Sequence, residues 1–456
     1  MAEANALAFA SDEEMRALRH VSRRFLWFLF ILLMINFVDR TNVGFAALSM
    51  NRELAISASM FGLAVAMFST GYMICEIPSN MILARVGARR WLSRIVISWG
   101  LASMACALVA GAQSLVALRF LVGVAEAGFF PGVILFITYW YPQYYRARAQ
   151  MAFMVAQPMA NAVGAMLSGV ILGLDGALGI AGWRWIFLLE GLPAVLLGIF
   201  ALYYLTDRPE RARWLSAAEK AALAGILSRD AAARDRAAPR HPTRSLWRQV
   251  LSRTMLLMSF CFGTMVGNFN ALAIWMPQII RGMTGPAMPY WVIGMLAAIP
   301  PLCTLAAMPF WSWRSDRTKE RYWHCTAPIM LAALAWFLAA IIHQPALQLG
   351  CLTLASIASV AAWPLFVTLP SLVLPREAHP VGIAFMTTIG LAGAVVSPII
   401  VGTLRDLTGD FAAGMAATGG MLALGAIAML FVPRGALAAP GTEGQAPPAI
   451  AAAGAR

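Results

Sequence analysis

Four ionisable residues lie inside stretches that are otherwise apolar. Asp39 and Arg40 fall within the first long apolar run, and Arg119 and Glu126 fall within the fourth. A charge near the centre of a bilayer costs about 2.5–3.5 kcal/mol on insertion scales, so such residues are rarely retained as packing material. We therefore take these four side chains as candidates for the working centre of the molecule.

The residue types divide into two chemical roles. An arginine stays protonated, and its planar guanidinium group matches a carboxylate through two parallel hydrogen bonds, so Arg40 and Arg119 are candidates for binding an anion. A carboxyl group can take up a proton when it is removed from water, so Asp39 and Glu126 are candidates for carrying protons. In this hypothesis the ionised acids neutralise the arginines, and protonation frees an arginine for an incoming carboxylate.

Helix geometry predicts how these side chains meet. Adjacent residues on a helix point about 100° apart, so Asp39 and Arg40 are expected to find partners on other helices rather than each other. Arg119 and Glu126 are seven residues apart, which places them on one helix face with Cα atoms about 10 Å apart along the axis. One cluster between helices is the expected arrangement.

The alternative is a fixed salt-bridge network that only holds helices together. Four unpaired charges would cost roughly 10–14 kcal/mol, which rivals a typical total stability of about 5–15 kcal/mol. Pairing reduces that cost, but an apolar contact avoids it altogether. A functional role is therefore the favoured interpretation.

The composition indicates a membrane protein. The chain has 456 residues, of which 60% are hydrophobic and only 12% are charged, whereas soluble domains carry about 25% charged residues. The apolar residues form runs of about 20 or more, long enough to cross a bilayer. Twelve spans are predicted: 25–48, 60–83, 91–111, 115–139, 150–174, 183–205, 254–280, 290–313, 323–343, 347–373, 380–404 and 411–432.

The basic residues set the expected orientation. They concentrate between alternate apolar runs, as the positive-inside rule describes, and this distribution argues against a nucleic-acid partner despite the net charge of +13. Both termini are then expected in the cytoplasm. Ser11 and Glu14 form a possible capping box for a short helix before the first span.

Five segments are predicted. Residues 1–24 form a cytoplasmic N-terminal segment, and residues 206–253 form a cytoplasmic linker between two six-helix bundles, 25–205 and 254–432. Residues 433–456, rich in Ala, Pro and Gly, form a tail expected to be disordered. Basic clusters follow the second span of each half, which indicates an internal repeat of the kind common in secondary transporters.

The chain resembles the major facilitator superfamily over about residues 20–435. The stretch Ser315-Asp316-Arg317 with Arg321 resembles its cytoplasmic loop signature, although the copy in the first half has Ala84 where an acid is usual. A narrower resemblance is to the anion:cation symporter branch, which includes tartrate, sugar-acid, phthalate and aromatic-acid permeases. It rests on several stretches in register: 39–44, 71–80, 87–91, 119–132 and 182–191.

The resemblance implies the same roles for the four charged positions. It also points to Tyr72 and Gln157 as side chains that could hydrogen-bond a substrate. Asn268 and Asn270 are weaker candidates for the opposite wall, and Glu190 is expected to be structural. Thr387 and Leu391 stand where asparagine is common in the branch, which favours a less hydroxylated or aromatic carboxylate over a sugar acid.

The sequence therefore predicts an all-α membrane protein of twelve helices in two bundles, monomeric and located in the inner membrane. The expected function is proton-coupled uptake of an organic carboxylate by alternating access, with no cofactor and no metal. An exporter or exchanger of the same fold and a ligand receptor derived from it are alternatives. An enzyme is disfavoured because no nucleophile–base pair, metal-ligand cluster or phosphate-binding glycine loop is present.

Overall fold

The computed structural model describes residues 11–237, 245–318, 320–375 and 378–437. In these ranges it contains twelve helical segments that are long and apolar enough to span a membrane. The helices are α1 Asp12–Glu53, α2 Ala58–Val86, α3 Ala88–Ala105, α4 Ala112–Glu126, α5 Phe129–Trp140, α6 Gln143–Ile171, α7 Gly182–Tyr204, α8 Ala217–Ala237, α9 Ser245–Val250, α10 Arg253–Thr284, α11 Tyr290–Thr318, α12 Tyr322–Ile341, α13 Pro345–Thr368, α14 Pro370–Val373, α15 His379–Thr408 and α16 Ala412–Leu430.

The first helix is longer than the sequence predicts. It begins at Asp12, and the Ser11 hydroxyl accepts from the Glu14 backbone N–H while the Glu14 carboxylate accepts from the Ser11 N–H. The predicted capping box is therefore confirmed, but the predicted short separate helix is wrong, because α1 runs without a break into the first span. Its first turns contact the linker helix α8, where Glu14 pairs with Arg229 and His20 lies 3.2 Å from Glu219.

The fourth span is interrupted directly after Glu126. Gly128 has a left-handed backbone with φ of 85°, and a Cβ atom there would lie 2.4 Å from the Ser79 hydroxyl oxygen. Ser79 fills this gap by donating to the Ala127 carbonyl oxygen at 2.7 Å and accepting from the Trp91 indole N–H at 3.1 Å. A membrane helix tolerates such a break when neighbours satisfy the freed backbone groups.

Each half of the chain forms its own bundle. In the first half α3 packs on α7, α2 on α4, and α1 on α6; in the second half α10 packs on α15 and α12 packs on α13 and α16. The segment between the halves contains α8 and α9. Near the start of α8, the Ser216 backbone N–H donates a hydrogen bond to the Glu219 carboxylate, and this bond lowers the pKa of Glu219. The predicted fold class, twelve membrane helices in two six-helix bundles, is confirmed.

In the described ranges the two bundles touch mainly through three helix pairs, which are α2 with α15, α6 with α11, and α1 with α10. We call the end of the molecule where α1 ends and α2 begins the outer end, since the predicted orientation places it outside the cell. The closest approaches lie toward this end. A Cβ atom on Gly62 would be 2.3 Å from the Pro398 carbonyl oxygen, and one on Gly402 would be 2.2 Å from that of Ala58.

The other two pairs show the same pattern. A Cβ atom on Gly44 would lie 2.5 Å from the Ile274 carbonyl oxygen, and one on Gly294 would lie 2.5 Å from that of Ala165. Backbone-to-backbone contact of this kind is typical of small residues at interfaces between membrane helices. The protein is therefore closed between its bundles at the outer end.

Candidate functional site

Glu126 is the centre of the first group of polar contacts. Both Nε and Nη2 of Arg40 lie 2.5 Å from Glu126 Oε1, and the Asn36 side-chain amide donates to the same oxygen at 2.8 Å. Asn36 and Arg40 are four residues apart, so they share one face of α1. The Glu126 side chain is 1% exposed and that of Arg40 is 29% exposed, so the pair joins α1 to the buried end of α4 while the arginine remains reachable.

Asp39 belongs to a separate group. Its Oδ1 accepts from the Ser103 hydroxyl at 2.5 Å and from the Asn42 amide nitrogen at 2.8 Å. Its Oδ2 is buried without a hydrogen-bond partner. Asp39 and Arg40 thus contact different helices, α3 and α4, as helix geometry requires of neighbouring residues.

Arg119 is buried without an acidic partner. It is 1% exposed, and in the described part of the chain no carboxylate oxygen lies within 4.0 Å of its guanidinium group. Its Nε has no hydrogen-bond partner, and the guanidinium carbon lies 4.8 Å from the centre of the Phe68 ring. Removing one partner of a buried ion pair costs about 3–5 kcal/mol because the remaining charge is left uncompensated. Asp39 and Glu126 act on Arg119 electrostatically, but neither forms an ion pair with it, so the site contains a cation that an added anion can pair with directly.

Aromatic rings connect the two arginines. The Arg40 guanidinium carbon lies 5.5 Å from the centre of the Phe68 ring and 5.0 Å from that of Tyr72. Phe68 therefore contacts both cations, and the Tyr72 ring lies 6.4 Å from it. Tyr72, which is 6% exposed, lies beside the charged residues, and its predicted hydrogen bond to a substrate stays a prediction.

A cavity lies between the two bundles and next to this charged group. Its volume is about 50 Å³. Among the predicted site residues, Gln157 contributes to its lining, whereas the four charged residues and Tyr72 do not. The lining residues are Thr41, Phe45, Gln157, Pro158, Asn161, Ala165, Phe269, Leu272, Ala273, Met276, Pro277, Ala297, Pro300, Pro301, Thr304, Ser356 and Val360.

Several polar lining residues were missed by the sequence analysis. Asn161 lies one turn beyond Gln157 on α6, and its Oδ1 is buried without a partner. Thr304 and Ser356 face the cavity from the other bundle, with their hydroxyl oxygens 2.9 Å apart. The i, i+4 spacing from Gln157 was the signal that could have identified Asn161.

The two asparagines of α10 lie away from the cavity. Asn268 accepts from the Trp336 indole N–H at 2.6 Å and donates to the Ser359 hydroxyl at 2.8 Å, and it is 1% exposed. Asn270 donates to the Val266 carbonyl oxygen of its own helix at 3.1 Å. In this conformation both amide groups are engaged inside the second bundle.

The contacts of the site are electrostatic and hydrogen-bonding contacts of buried polar side chains. The described residues contain no cluster of three or more His, Cys, Asp or Glu side chains placed to hold a metal ion. The arrangement offers two cations, two nearby acids and a neutral, partly polar cavity between two bundles. Two bundles of membrane helices around a central cavity are the architecture of a secondary transporter. A secondary transporter moves a solute through the membrane by exposing a central site to each side in turn.

Comparison with known families agrees that the protein is a membrane transporter. Residues 29–299 and 279–454 match the family described as the Major Facilitator Superfamily. The chain belongs to this family, and it is a multi-pass membrane transporter rather than an enzyme.

Two relatives and one solved structure are similar to this chain over most of its length. The chain is 40% identical over 424 residues to a "Putative tartrate transporter" of Agrobacterium vitis, covering 93% of this chain and 96% of the relative. It is 35% identical over 404 residues to a "Quinolone resistance transporter" of Acinetobacter baumannii, covering 89% of this chain and 92% of the relative. A crystal structure of a D-xylose–proton symporter has a TM-score of 0.71 at 16% identity, covers 90% of this chain and 98% of that chain, and supports the fold alone.

Proposed function

We propose that this protein imports an organic carboxylate together with protons. The observation that carries the proposal is Arg119, a buried cation that has no carboxylate oxygen within 4.0 Å in the described chain. A carboxylate substrate would supply the missing negative charge through the bidentate geometry that guanidinium groups favour. The name of the tartrate-transporter relative supports an organic-acid substrate.

The Arg40–Glu126 pair provides the proposed coupling. While Glu126 is ionised it occupies Arg40, and a substrate carboxylate must compete with it. Protonation of Glu126 removes that competitor, so the substrate and the proton favour each other's binding. Asp39 is the second proposed proton-carrying acid, because its Oδ2 is buried without a hydrogen-bond donor. More than one proton for each monoanion would make uptake respond to membrane potential, which supplies about 2.3 kcal/mol per charge per 100 mV.

The cavity lining supports a substrate with few hydroxyl groups. Gln157, Asn161, Thr304 and Ser356 supply its amide and hydroxyl groups, with Thr41 beside them, while the rest of the lining is apolar. Asn268 and Asn270, the other proposed substrate contacts, would need to rotate out of their present contacts to reach it. A small or aromatic carboxylate matches this lining better than a polyhydroxylated sugar acid.

The proposal includes the setting of the protein. We place it in the inner membrane as a monomer with both termini in the cytoplasm, following the distribution of Lys and Arg. The proposed boundaries remain 25–205 and 254–432 for the bundles, with 1–24, 206–253 and 433–456 on the cytoplasmic side.

The experiment is uptake of labelled organic acids by the purified protein in liposomes. An inward proton gradient should drive accumulation of the substrate, and its collapse by a protonophore should abolish accumulation. Arg119→Ala should remove binding, and Arg119→Lys should weaken it because the charge remains but the planar fork is lost. Arg85→Ala changes an exposed arginine and serves as the matched control. Near-normal affinity in Arg119→Ala would refute the assignment.

Export or exchange is the second candidate, and the relative named for quinolone resistance favours it. An exporter or a pure exchanger would give no net accumulation under the inward gradient. An exchanger would still show counterflow of labelled acid against unlabelled acid. A receptor derived from the same fold would bind the acid and show neither activity.

A further inference from the structure

Charge is distributed unequally between the two bundles. The four charged residues of the site all belong to α1 and α4 of the first bundle. In the second bundle, the predicted span 323–343 carries a histidine near each end. The other predicted spans contain no Asp, Glu, Lys, Arg or His at all, and they are 254–280, 290–313, 347–373, 380–404 and 411–432. An anion between the bundles therefore finds its cations on the first bundle.

The polar side chains of the second bundle that line the cavity, within the described ranges, are Thr304 of α11 and Ser356 of α13. A hydroxyl group has a single proton to donate. Thr304 donates its proton to the Pro300 carbonyl oxygen of its own helix at 2.9 Å. The 2.9 Å contact between the two hydroxyl oxygens therefore uses the proton of Ser356. Both protons are engaged, so toward a ligand both oxygens can only accept.

Two prolines add to this character on α11. Pro300 and Pro301 line the cavity together with Ala297. A helical carbonyl oxygen accepts from the N–H four residues on, or three residues on in a tightened turn. Both of these positions after Ala297 are prolines, which have no N–H group. The Ala297 carbonyl group thus lacks its usual helix donors, and this wall of the cavity offers acceptors only.

The first bundle supplies the donors of the lining. The Thr41 hydroxyl is engaged with the Val38 carbonyl oxygen at 3.0 Å and the Phe37 carbonyl oxygen at 3.3 Å, so it too can only accept from a ligand. The side-chain amides of Gln157 and Asn161 on α6 remain, and both can donate. The groups that can stabilise a carboxylate, amides and arginines alike, therefore belong to the first bundle.

We propose that the transported acid is a monocarboxylate that carries one neutral hydrogen-bond donor, a hydroxyl or N–H group, at the end remote from its carboxylate. The carboxylate binds on the side of the first bundle, and the donor faces Thr304, Ser356 and the Ala297 carbonyl group. A second carboxylate at that end would lose its water and meet only acceptors, which carries a large desolvation cost. This inference rests on the proposed function, because it takes an organic carboxylate as the transported solute.

The acceptor wall is retained when the cavity opens. At about 50 Å³ the cavity has to widen before it can hold an organic acid. Alternating access moves the bundles largely as rigid units, and each of these hydroxyl protons is engaged within its own bundle. The conformations that bind the substrate therefore present the same acceptors.

The test is calorimetric titration of the purified protein with rigid acids whose two ends point in opposite directions. The aromatic series is benzoate, para-hydroxybenzoate and terephthalate, and the small series is crotonate, trans-γ-hydroxycrotonate and fumarate. In the series that fits the site, the hydroxy acid should bind about fivefold more tightly than the unsubstituted acid. The dicarboxylate should bind about tenfold more weakly than the unsubstituted acid, or not at all.

Variants assign the preference to this wall. Thr304→Val combined with Ser356→Ala removes both hydroxyl acceptors, so the preference for the hydroxy acid should fall from about fivefold to about twofold or less. Ser356→Ala alone should lower it in the same direction, and it serves if the double variant does not fold. Thr353→Val is the matched control, because Thr353 donates to the Leu349 carbonyl oxygen of the same helix at 2.8 Å and does not line the cavity. It should keep the full preference.

The outcomes separate this proposal from the function on which it rests. A dicarboxylate or an unsubstituted acid that binds as tightly as its hydroxy analogue would overturn the proposal, and so would failure of both hydroxy acids to bind. An unchanged preference in the double variant would overturn the assignment to Thr304 and Ser356. In each of these cases, uptake of another organic acid under the proton gradient would leave the proposed function standing. Absence of proton-driven uptake would refute that function, whereas the order of affinities would still decide the ligand class.

Discussion

Asp406 joins the two bundles at the outer end, and its removal should open them. Its Oδ1 accepts from the Ala58 backbone N–H at 2.9 Å and its Oδ2 accepts from that of Ser59 at 2.8 Å. These are the first two residues of α2, whereas Asp406 belongs to α15. The first N–H groups of a helix have no partners within the helix, and a carboxylate there also interacts favourably with the helix dipole. The contact must break whenever the outer end opens.

The magnitude follows from the two hydrogen bonds. Loss of a side-chain acceptor at a helix N-terminus costs about 0.5–2 kcal/mol, and Asp406 is exposed enough to place its effect near 1 kcal/mol. That energy corresponds to about a fivefold change in a two-state equilibrium. Asp406→Ala should therefore raise the ratio of outward-open to outward-closed protein about fivefold, and Asp406→Asn, which retains one acceptor, should have a smaller effect.

The assay is a distance measurement between spin labels on the two bundles. Arg52→Cys at the end of α1 and Leu407→Cys at the end of α15 are both exposed, and the partly exposed Cys75, Cys303 and Cys351 are replaced first. Pulsed electron paramagnetic resonance should show that the population with a longer distance between the two labels is larger in Asp406→Ala than in the wild-type protein.

The matched control for this measurement lies four residues away. Asp410 accepts from the Ala412 backbone N–H at 2.9 Å within its own bundle, so Asp410→Ala removes the same charge without touching the other half. It should leave the distances unchanged. Equal distance distributions in Asp406→Ala and Asp410→Ala would refute the reasoning.

Three further predictions follow from single contacts. Gly62→Ala places a Cβ atom 2.3 Å from the Pro398 carbonyl oxygen, so it should hold the outer end open in the same spin-label measurement and abolish net uptake. Glu126→Gln removes the acid that competes for Arg40, so counterflow should persist while pH-driven accumulation is lost; unchanged accumulation would contradict the coupling role. Asn161→Ala should raise the KM for uptake about fivefold with little change in maximal rate, because an unpartnered amide facing the cavity is worth about 1 kcal/mol to a hydrogen-bonding substrate.

Much of the fold could be predicted because a bilayer leaves few alternatives. An apolar run of about 20 residues is the signal for a spanning helix, and the runs are separated by charged or glycine-rich connections. The break after Glu126 could not be predicted in the same way. A glycine such as Gly128 is also compatible with a continuous helix, and the freed Ala127 carbonyl oxygen is satisfied by the hydroxyl group of Ser79 on another helix.

The site was predictable in its residue types and less so in its pairing. The sequence places Arg40 in the first span and Arg119 in the fourth but does not say which of them Glu126 contacts. That choice depends on the rotation of α1, which also brings Asn36 to the same oxygen. Asn268 was predicted to contact the substrate, whereas in the structure it accepts a hydrogen bond from Trp336. The sequence alone does not distinguish an asparagine that binds a substrate from one that binds a neighbouring side chain.

Arg40 has an acidic partner and Arg119 has none in the described chain, and this difference fits a conformation that is closed at the outer end. In the symport that we propose, a protein with its outer end closed would release its substrate on the other side, and release is easier when an internal acid takes the place of the substrate anion. Glu126 is positioned to do this for Arg40, which is 29% exposed, while Arg119 keeps no such substitute. In the proposed cycle Arg40 is therefore the cation that exchanges partners, and Arg119 is the cation that the next substrate must satisfy.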